Sequence, residues 1–209
     1  MKNKFKPFIS FAIITLFIGF NSNLKAQDYP SVDELKGLEV GSQAPGFEAK
    51  DNQGNSFSLE DQLKKSPVIL VFYRGQWCPI CNRHLSSIQD SLDLIKKSGA
   101  KIVAISPEKP ELSKKMAKKT AAEYTILYDK DYKIGTAYDV IFLPEEKIAN
   151  IYDSKLNADL KNAHSDGSKR LPIPATYIIG QDGKIIWRHF DPDYKNRSSV
   201  KEMLKVLNQ

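Results

Sequence analysis

Residues 72–81 read FYRGQWCPIC and hold both cysteines of the 209-residue chain, Cys78 and Cys81. A bridge across two intervening residues removes little entropy from the unfolded chain, so the pair makes a poor structural staple. Low structural value combined with a defined spacing points to redox work, in which a thiolate attacks and its neighbour closes or opens a disulfide. Other uses of the spacing fit less well. Covalent haem attachment needs His directly after the second cysteine, and that position is Asn82. A structural zinc site wants four ligands; His84 is the only nearby addition, with His164 and His189 far along the chain. Neither a metal nor a cofactor is expected.

The elements around the pair follow from apolar spacing. SPVILVFYRG reads as a buried strand centred on Val68–Tyr73. After Cys81, apolar residues at Leu85, Ile88, Leu92 and Ile95 mark one helical face, and Gly99 stops the helix. Pro79 suits the first helical turn, where its missing N–H costs nothing. Cys78 therefore sits at the start of the helix and Cys81 one turn inside. Unpaired N–H groups and the helix dipole at that end favour a thiolate on Cys78. Arg74 adds positive potential, whereas Arg83 reads as a solvated surface charge.

Further along, FEAKDNQGNSFSL (47–59) predicts two short strands around a turn, and KIVAIS (101–106) a strand. A basic helix is expected over about 110–119, and its lysines 114, 115, 118 and 119 read as a solvated face. A helix is expected over 131–140, and an insertion over 142–172 with a short helix near 145–151. PATYIIGQDGKIIWRHF predicts a hairpin turning at Asp182-Gly183, and the closing helix runs from about Ser198 to Leu207. This order specifies an α/β fold with a mixed central sheet flanked by helices.

The first 26 residues stand apart. Lys2, Lys4 and Lys6 precede an apolar run from Pro7 to Phe20, and a small residue, Ala26, ends the segment. This is the layout of a cleaved signal peptide over residues 1–26. Fourteen helical residues span only about 21 Å, short of the roughly 30 Å of a bilayer core, so no stable membrane span is expected after cleavage. Residues 27–209 are expected to form a single domain in an exported, periplasmic or extracytoplasmic setting. Without the four lysines of the leader, 27 basic face 25 acidic residues, a net of +2 that gives no argument for nucleic-acid binding.

FYRGQWCPIC after a buried strand, with PATYIIGQDGKI downstream, resembles the thioredoxin fold. More narrowly, VGSQAPGFEAKDNQGNSFSLED and LPIPATYIIGQDGKIIWRHFDPDY resemble the AhpC/TSA family of peroxiredoxin-like proteins, over roughly residues 38–207. That resemblance implies an N-terminal hairpin and an insertion before a strand led by a cis proline at Pro174. It also implies that Ile173 presents its backbone to an extended substrate. The order of attack stays open. The peroxiredoxin pattern places the peroxidatic cysteine at Cys81, with Arg74 and Cys78 where that pattern has Pro and Thr. A thioredoxin-like reductase attacks with Cys78 and resolves with Cys81.

Within this resemblance, thioredoxins carry a buried acid where this chain has Phe72, and relatives often carry Glu where it has His84. An imidazole one turn from Cys81 is then a candidate proton acceptor. Trp77 is expected to shield a Cys78–Cys81 disulfide or to pack beside it. Asp191, Asp193 and Tyr194 look like family features without an evident mechanism. The implied activity is a thiol peroxidase that reduces peroxides and is reset by a thioredoxin-like dithiol. The alternatives are an exported oxidoreductase acting on protein disulfides and a non-catalytic binding protein on the same scaffold.

Overall fold

The computed structural model describes Met1 and residues 29–209; the leader expected over 1–26 lies, apart from Met1, outside the described residues. A seven-stranded mixed sheet runs in the order β2-β1-β5-β4-β3-β8-β9. These strands are β1 Glu48–Asp51, β2 Ser56–Ser58, β3 Val68–Phe72, β4 Lys101–Ser106, β5 Thr125–Tyr128, β8 Ala175–Ile179 and β9 Ile185–Phe190. β3, β4 and β5 are parallel, while β1 and β8 join them antiparallel. The apolar run at β3 is buried at every position because it is central and covered on both faces. Its side chains alternate: Ile69 and Val71 enter one core, and Val68, Leu70 and Phe72 the other. The thioredoxin-like architecture, with its hairpin of β1 and β2 at one edge, is the one the sequence implied.

Helices flank the sheet: α1 Leu59–Leu63, α2 Pro79–Asp90, α3 Leu92–Lys97, α4 Pro110–Thr120, α5 Lys133–Ala137, α6 Glu146–Leu156, α7 Leu160–Ala163 and α8 Val200–Leu207. The seam Leu85, Ile88, Leu92 and Ile95 is buried as its spacing predicted, but it belongs to two helices. Ser91 (φ −108°, ψ 9°) closes α2 through its N–H on the Ile88 carbonyl at 3.1 Å. Its own carbonyl accepts from Leu94 (3.0 Å) and Ile95 (3.1 Å), starting α3. Apolar spacing cannot register this break, since both halves keep the same face inward.

The region expected as one helix over 131–140 is shorter. Asp131 and Tyr132 adopt left-handed backbone (φ 61° and 58°), and α5 starts only where the Asp129 carboxylate accepts from Ile134 and Gly135 N–H, both at 2.8 Å. The insertion is more ordered than its sequence suggested. Two short strands, β6 Ile141–Phe142 and β7 Leu171–Pro172, pair across its ends, and α6 and α7 lie between them.

One expectation is corrected here. Among the described residues no peptide bond is cis, so the Ile173–Pro174 bond is trans. The segment arrives already extended from the β6–β7 pair, and the Ile173 N–H is fixed on the Val140 carbonyl at 2.7 Å. An extended approach needs no cis turn, and trans is the lower-energy isomer of X–Pro by about 0.5–1 kcal/mol. That hydrogen bond also removes the Ile173 N–H from any role in holding an extended substrate.

Candidate active site

The loop 73–78 carries the cysteines from the end of β3 to α2. The Tyr73 N–H bonds the Ile105 carbonyl at 3.0 Å, continuing the sheet, and the Cys78 N–H closes a turn on the Gly75 carbonyl at 3.1 Å. Gly75 must lack a side chain: a Cβ there would collide with the Trp77 indole and come within 2.7 Å of the Glu108 carboxyl. Cys78 is the N-cap of α2, its Sγ accepting from the Cys81 N–H at 3.2 Å, and Pro79 holds the first helical position. Both cysteines are buried, and their sulfurs are not bonded to each other.

The environments separate the two sulfurs. Hydrogen bonding from Cys81, then the charge and hydrogen bond of Arg74, draw the Cys78 thiol down to about 5 against the effect of burial. Burial pushes the Cys81 thiol well above its ordinary value. At neutral pH the pair therefore holds one thiolate, on Cys78, and one proton, on Cys81. Arg74 is itself buried, at 2% exposure, and donates from Nη2 to Cys78 Sγ at 3.3 Å. Burial works against its charge, but the two sulfurs outweigh it. Arg197, from the loop before α8, points Nη2 at Cys81 Sγ, 3.6 Å away.

Aromatic rings roof this ion pair. The Arg74 guanidinium lies 5.0 Å from the Trp77 ring, 4.9 Å from Tyr152 of α6 and 3.8 Å from Tyr194. Trp77 and Tyr152 pack at 5.0 Å between centroids. Asp191 and Asp193 now acquire a mechanism. Asp191 accepts from the Asp193 N–H (2.8 Å) and Asn196 Nδ2 (2.7 Å), and Asp193 from the Lys195 N–H (3.0 Å). These bonds shape the loop that delivers Tyr194 and Arg197.

His84 is turned elsewhere. Its Nε2 lies 3.1 Å from the Ser198 carbonyl and 3.2 Å from Ser198 Oγ, and burial, then Arg197, lower it to about 4. It is a neutral ring at physiological pH, engaged with Ser198 of the loop before α8, whose hydroxyl also meets Thr176 Oγ1 at 2.8 Å. Arg83 is exposed, as read from the sequence. Pro174 lines a cleft of about 240 Å³ together with Arg74, Tyr152, Tyr194, Leu143 and Ile148, between the insertion and residues 31–33. A larger cavity of about 560 Å³ between β1, α4 and α5 contains neither cysteine.

A buried acid stands near the cysteine loop, though not at position 72. Glu108, fully buried after β4, accepts the Gln76 N–H at 2.7 Å, and its Oε1 has no partner. Burial raises its carboxyl to about 8. It went unmarked in the sequence, since a lone Glu between a strand and a helix carries no spacing signal. A raised carboxyl costs nothing below the unfolded value near 4.5, and its penalty grows until pH passes 8. Compared with Glu108→Gln, the wild type is therefore expected to lose about 4 kcal/mol of relative stability between pH 5 and pH 9. Urea unfolding of both proteins across that range checks it; parallel curves would show that the carboxyl is not held protonated.

A thiolate capped by a helix, paired with an arginine and backed by a protonated thiol one turn away, defines a dithiol oxidoreductase on a thioredoxin-like scaffold. The sequence profile of the AhpC/TSA family matches residues 40–188. The chain is 31% identical to a chloroplastic peroxiredoxin Q of Populus jackii, over 96% of this chain and 85% of that one. It is 30% identical to the peroxiredoxin Bcp of Escherichia coli K12, over 82% and 97%. Among solved structures, the peroxidoxin BcpB of Mycobacterium tuberculosis superposes with a TM-score of 0.63 at 20% identity, over 82% of this chain and 97% of that one. The chain belongs to the AhpC/TSA family. Among the described residues, no helix is long and apolar enough to cross a membrane.

Proposed function

We propose that the protein is a peroxiredoxin-type thiol peroxidase in which Cys78 attacks and Cys81 resolves. The observation that carries this reading is the buried Cys78 sulfur at the N-cap of α2, bonded by the Cys81 N–H at 3.2 Å and by Arg74 Nη2 at 3.3 Å, an arrangement that lowers its pKa. The Cys78 thiolate attacks one peroxide oxygen; an S–O bond forms, the O–O bond breaks, and the leaving oxygen takes a proton to depart as water or alcohol. Cys81 then attacks the Cys78 sulfenic acid; the S–S bond forms, and the Cys81 proton leaves with the hydroxyl as water. A thioredoxin-like dithiol returns two electrons to the Cys78–Cys81 disulfide.

Burial distinguishes this reading from direct action on protein disulfides. Both sulfurs are buried, Cys78 is bonded by the ring-covered Arg74, and the Ile173 N–H is occupied. A peroxide of a few atoms needs only a small fluctuation to reach Cys78, whereas a protein disulfide needs the roof displaced. The reductant faces the same cover, so roof opening belongs to the reset step. Stopped-flow mixing of the reduced protein with hydrogen peroxide or an alkyl hydroperoxide tests the reaction. Consumption far faster than by free cysteine is expected; a rate no faster, with mixed disulfides trapped on Cys78 of Cys81→Ser, moves the assignment to protein disulfides.

The basic start and apolar run before Ala26 support export, with residues 27–209 working as one unit outside the cytoplasm. The mark of this is an intact mass beginning at Gln27 in the extracytoplasmic fraction; a full-length mass there overturns it.

A further inference from the structure

We propose that Tyr152, carried by the insertion, is a positioning residue that sets the acidity of Cys78 through Arg74; the proposal rests on Cys78 being the reactive thiolate. The geometry is specific. The Tyr152 hydroxyl accepts from Arg74 Nη1 at 2.9 Å, while the other terminal nitrogen, Nη2, donates to Cys78 Sγ at 3.3 Å. The two bonds diverge from one rigid planar fork, so fixing Nη1 fixes the direction of Nη2. The third nitrogen, Nε, is buried without a partner, and the other two rings of the roof touch the guanidinium only through their faces. A face contact tolerates rotation of the guanidinium in its own plane. Cys78 aside, the phenolic hydroxyl is the one hydrogen-bond acceptor of Arg74 among the described residues, and it resists that rotation.

The tyrosine is itself held. Its carbonyl accepts the N–H groups of Asn157 and Ala158 at the end of α6, and Ala149, one turn earlier, is buried in the core. Asp153, the next residue, accepts the Leu160 N–H at 2.9 Å and locks α6 to α7. The charged and titratable groups facing Cys78 are Arg74 from the loop after β3, Cys81 from α2 and Glu108 from the loop after β4, with Arg197 on the Cys81 side. Only Arg74 among them has its orientation set from the insertion. An insertion that adds no strand to the main sheet thus reaches the reactive sulfur through Tyr152 and Arg74.

The test is Tyr152→Phe in a Cys81→Ser background, where Cys78 is the sole thiol. Thiolate absorbance near 240 nm and the pH profile of iodoacetamide alkylation both read its ionisation without requiring peroxidase activity. Phe keeps both ring contacts and removes only the acceptor, so the Cys78 midpoint is expected to rise by roughly half to one unit. Tyr194→Phe, which removes a hydroxyl not bonded to Arg74, is expected to leave it in place. In the otherwise unaltered enzyme, Tyr152→Phe is expected to slow peroxide consumption about twofold to fivefold at the wild-type midpoint and to match the wild type at pH 9, where Cys78 is ionised regardless. An unchanged midpoint in Tyr152→Phe, with the melting temperature retained, overturns the proposal. A shifted midpoint in a protein that consumes no peroxide upholds the positioning role and removes only the peroxidase reading.

Discussion

Cys78→Ser is expected to abolish peroxide consumption, lowering it by about three orders of magnitude or more, because a hydroxyl at this position is neither ionised nor strongly nucleophilic. Cys81→Ser is expected to behave differently. It keeps the thiolate and Arg74, so it consumes one equivalent of peroxide and stops as a sulfenic acid. Mass spectrometry after dimedone trapping reads that adduct on Cys78, and steady-state turnover with a dithiol reductant is lost or slowed. The asymmetry follows from the two environments: an N-cap sulfur bonded by Arg74 and drawn down to about 5, and a deeper sulfur pushed up by burial. The opposite result, a burst retained by Cys78→Ser and lost in Cys81→Ser, assigns attack to Cys81, in the register of the peroxiredoxin pattern.

Arg74→Gln is the second large effect. Removing a full positive charge within hydrogen-bond reach of a buried thiolate raises its pKa by roughly one to three units. From a midpoint of about 5, peroxide consumption at pH 6 is expected to drop about twofold for a one-unit rise, about tenfold for two units and about ninetyfold for three. At pH 9 Cys78 is ionised again and most of the loss returns. The sign matters: a lowered thiol is charged above its midpoint, so losing the cause of the lowering hurts at low pH and not at high pH. A loss of equal size at every pH would mean that Arg74 acts on the peroxide or on the fold, not on thiolate formation.

Local signals in the sequence sufficed for the frame of this site. A fully apolar strand, Pro79 at the first helical position and the four-three spacing after Cys81 placed the two sulfurs where the structure has them. Those features act over a few residues, which is the range at which spacing and propensity speak. The residues that tune the sulfurs come from much farther away: Glu108, Tyr152 and Arg197 lie 30, 74 and 116 residues from the cysteine each addresses or approaches. Their placement depends on how β4, α6 and the loop before α8 pack. His84 illustrates the same limit from close range. Its position one turn from Cys81 was readable, but the direction of its ring depended on Ser198, a residue at the other end of the chain. At Pro174 the misleading guide was resemblance, since the β6–β7 pair and the Val140 carbonyl leave the chain extended there.

The pairing of Ile141 with Pro172 brings the two ends of the insertion side by side. A segment with adjacent ends behaves like a cassette: it can be lengthened, shortened or exchanged between homologues while the seven-stranded sheet keeps its register. Because that cassette delivers Tyr152, such an exchange would retune the acidity of Cys78 through Arg74. Evolution, or an engineer grafting a foreign segment between residues 142 and 171, can therefore adjust reactivity and the shape of the mouth in one genetic step.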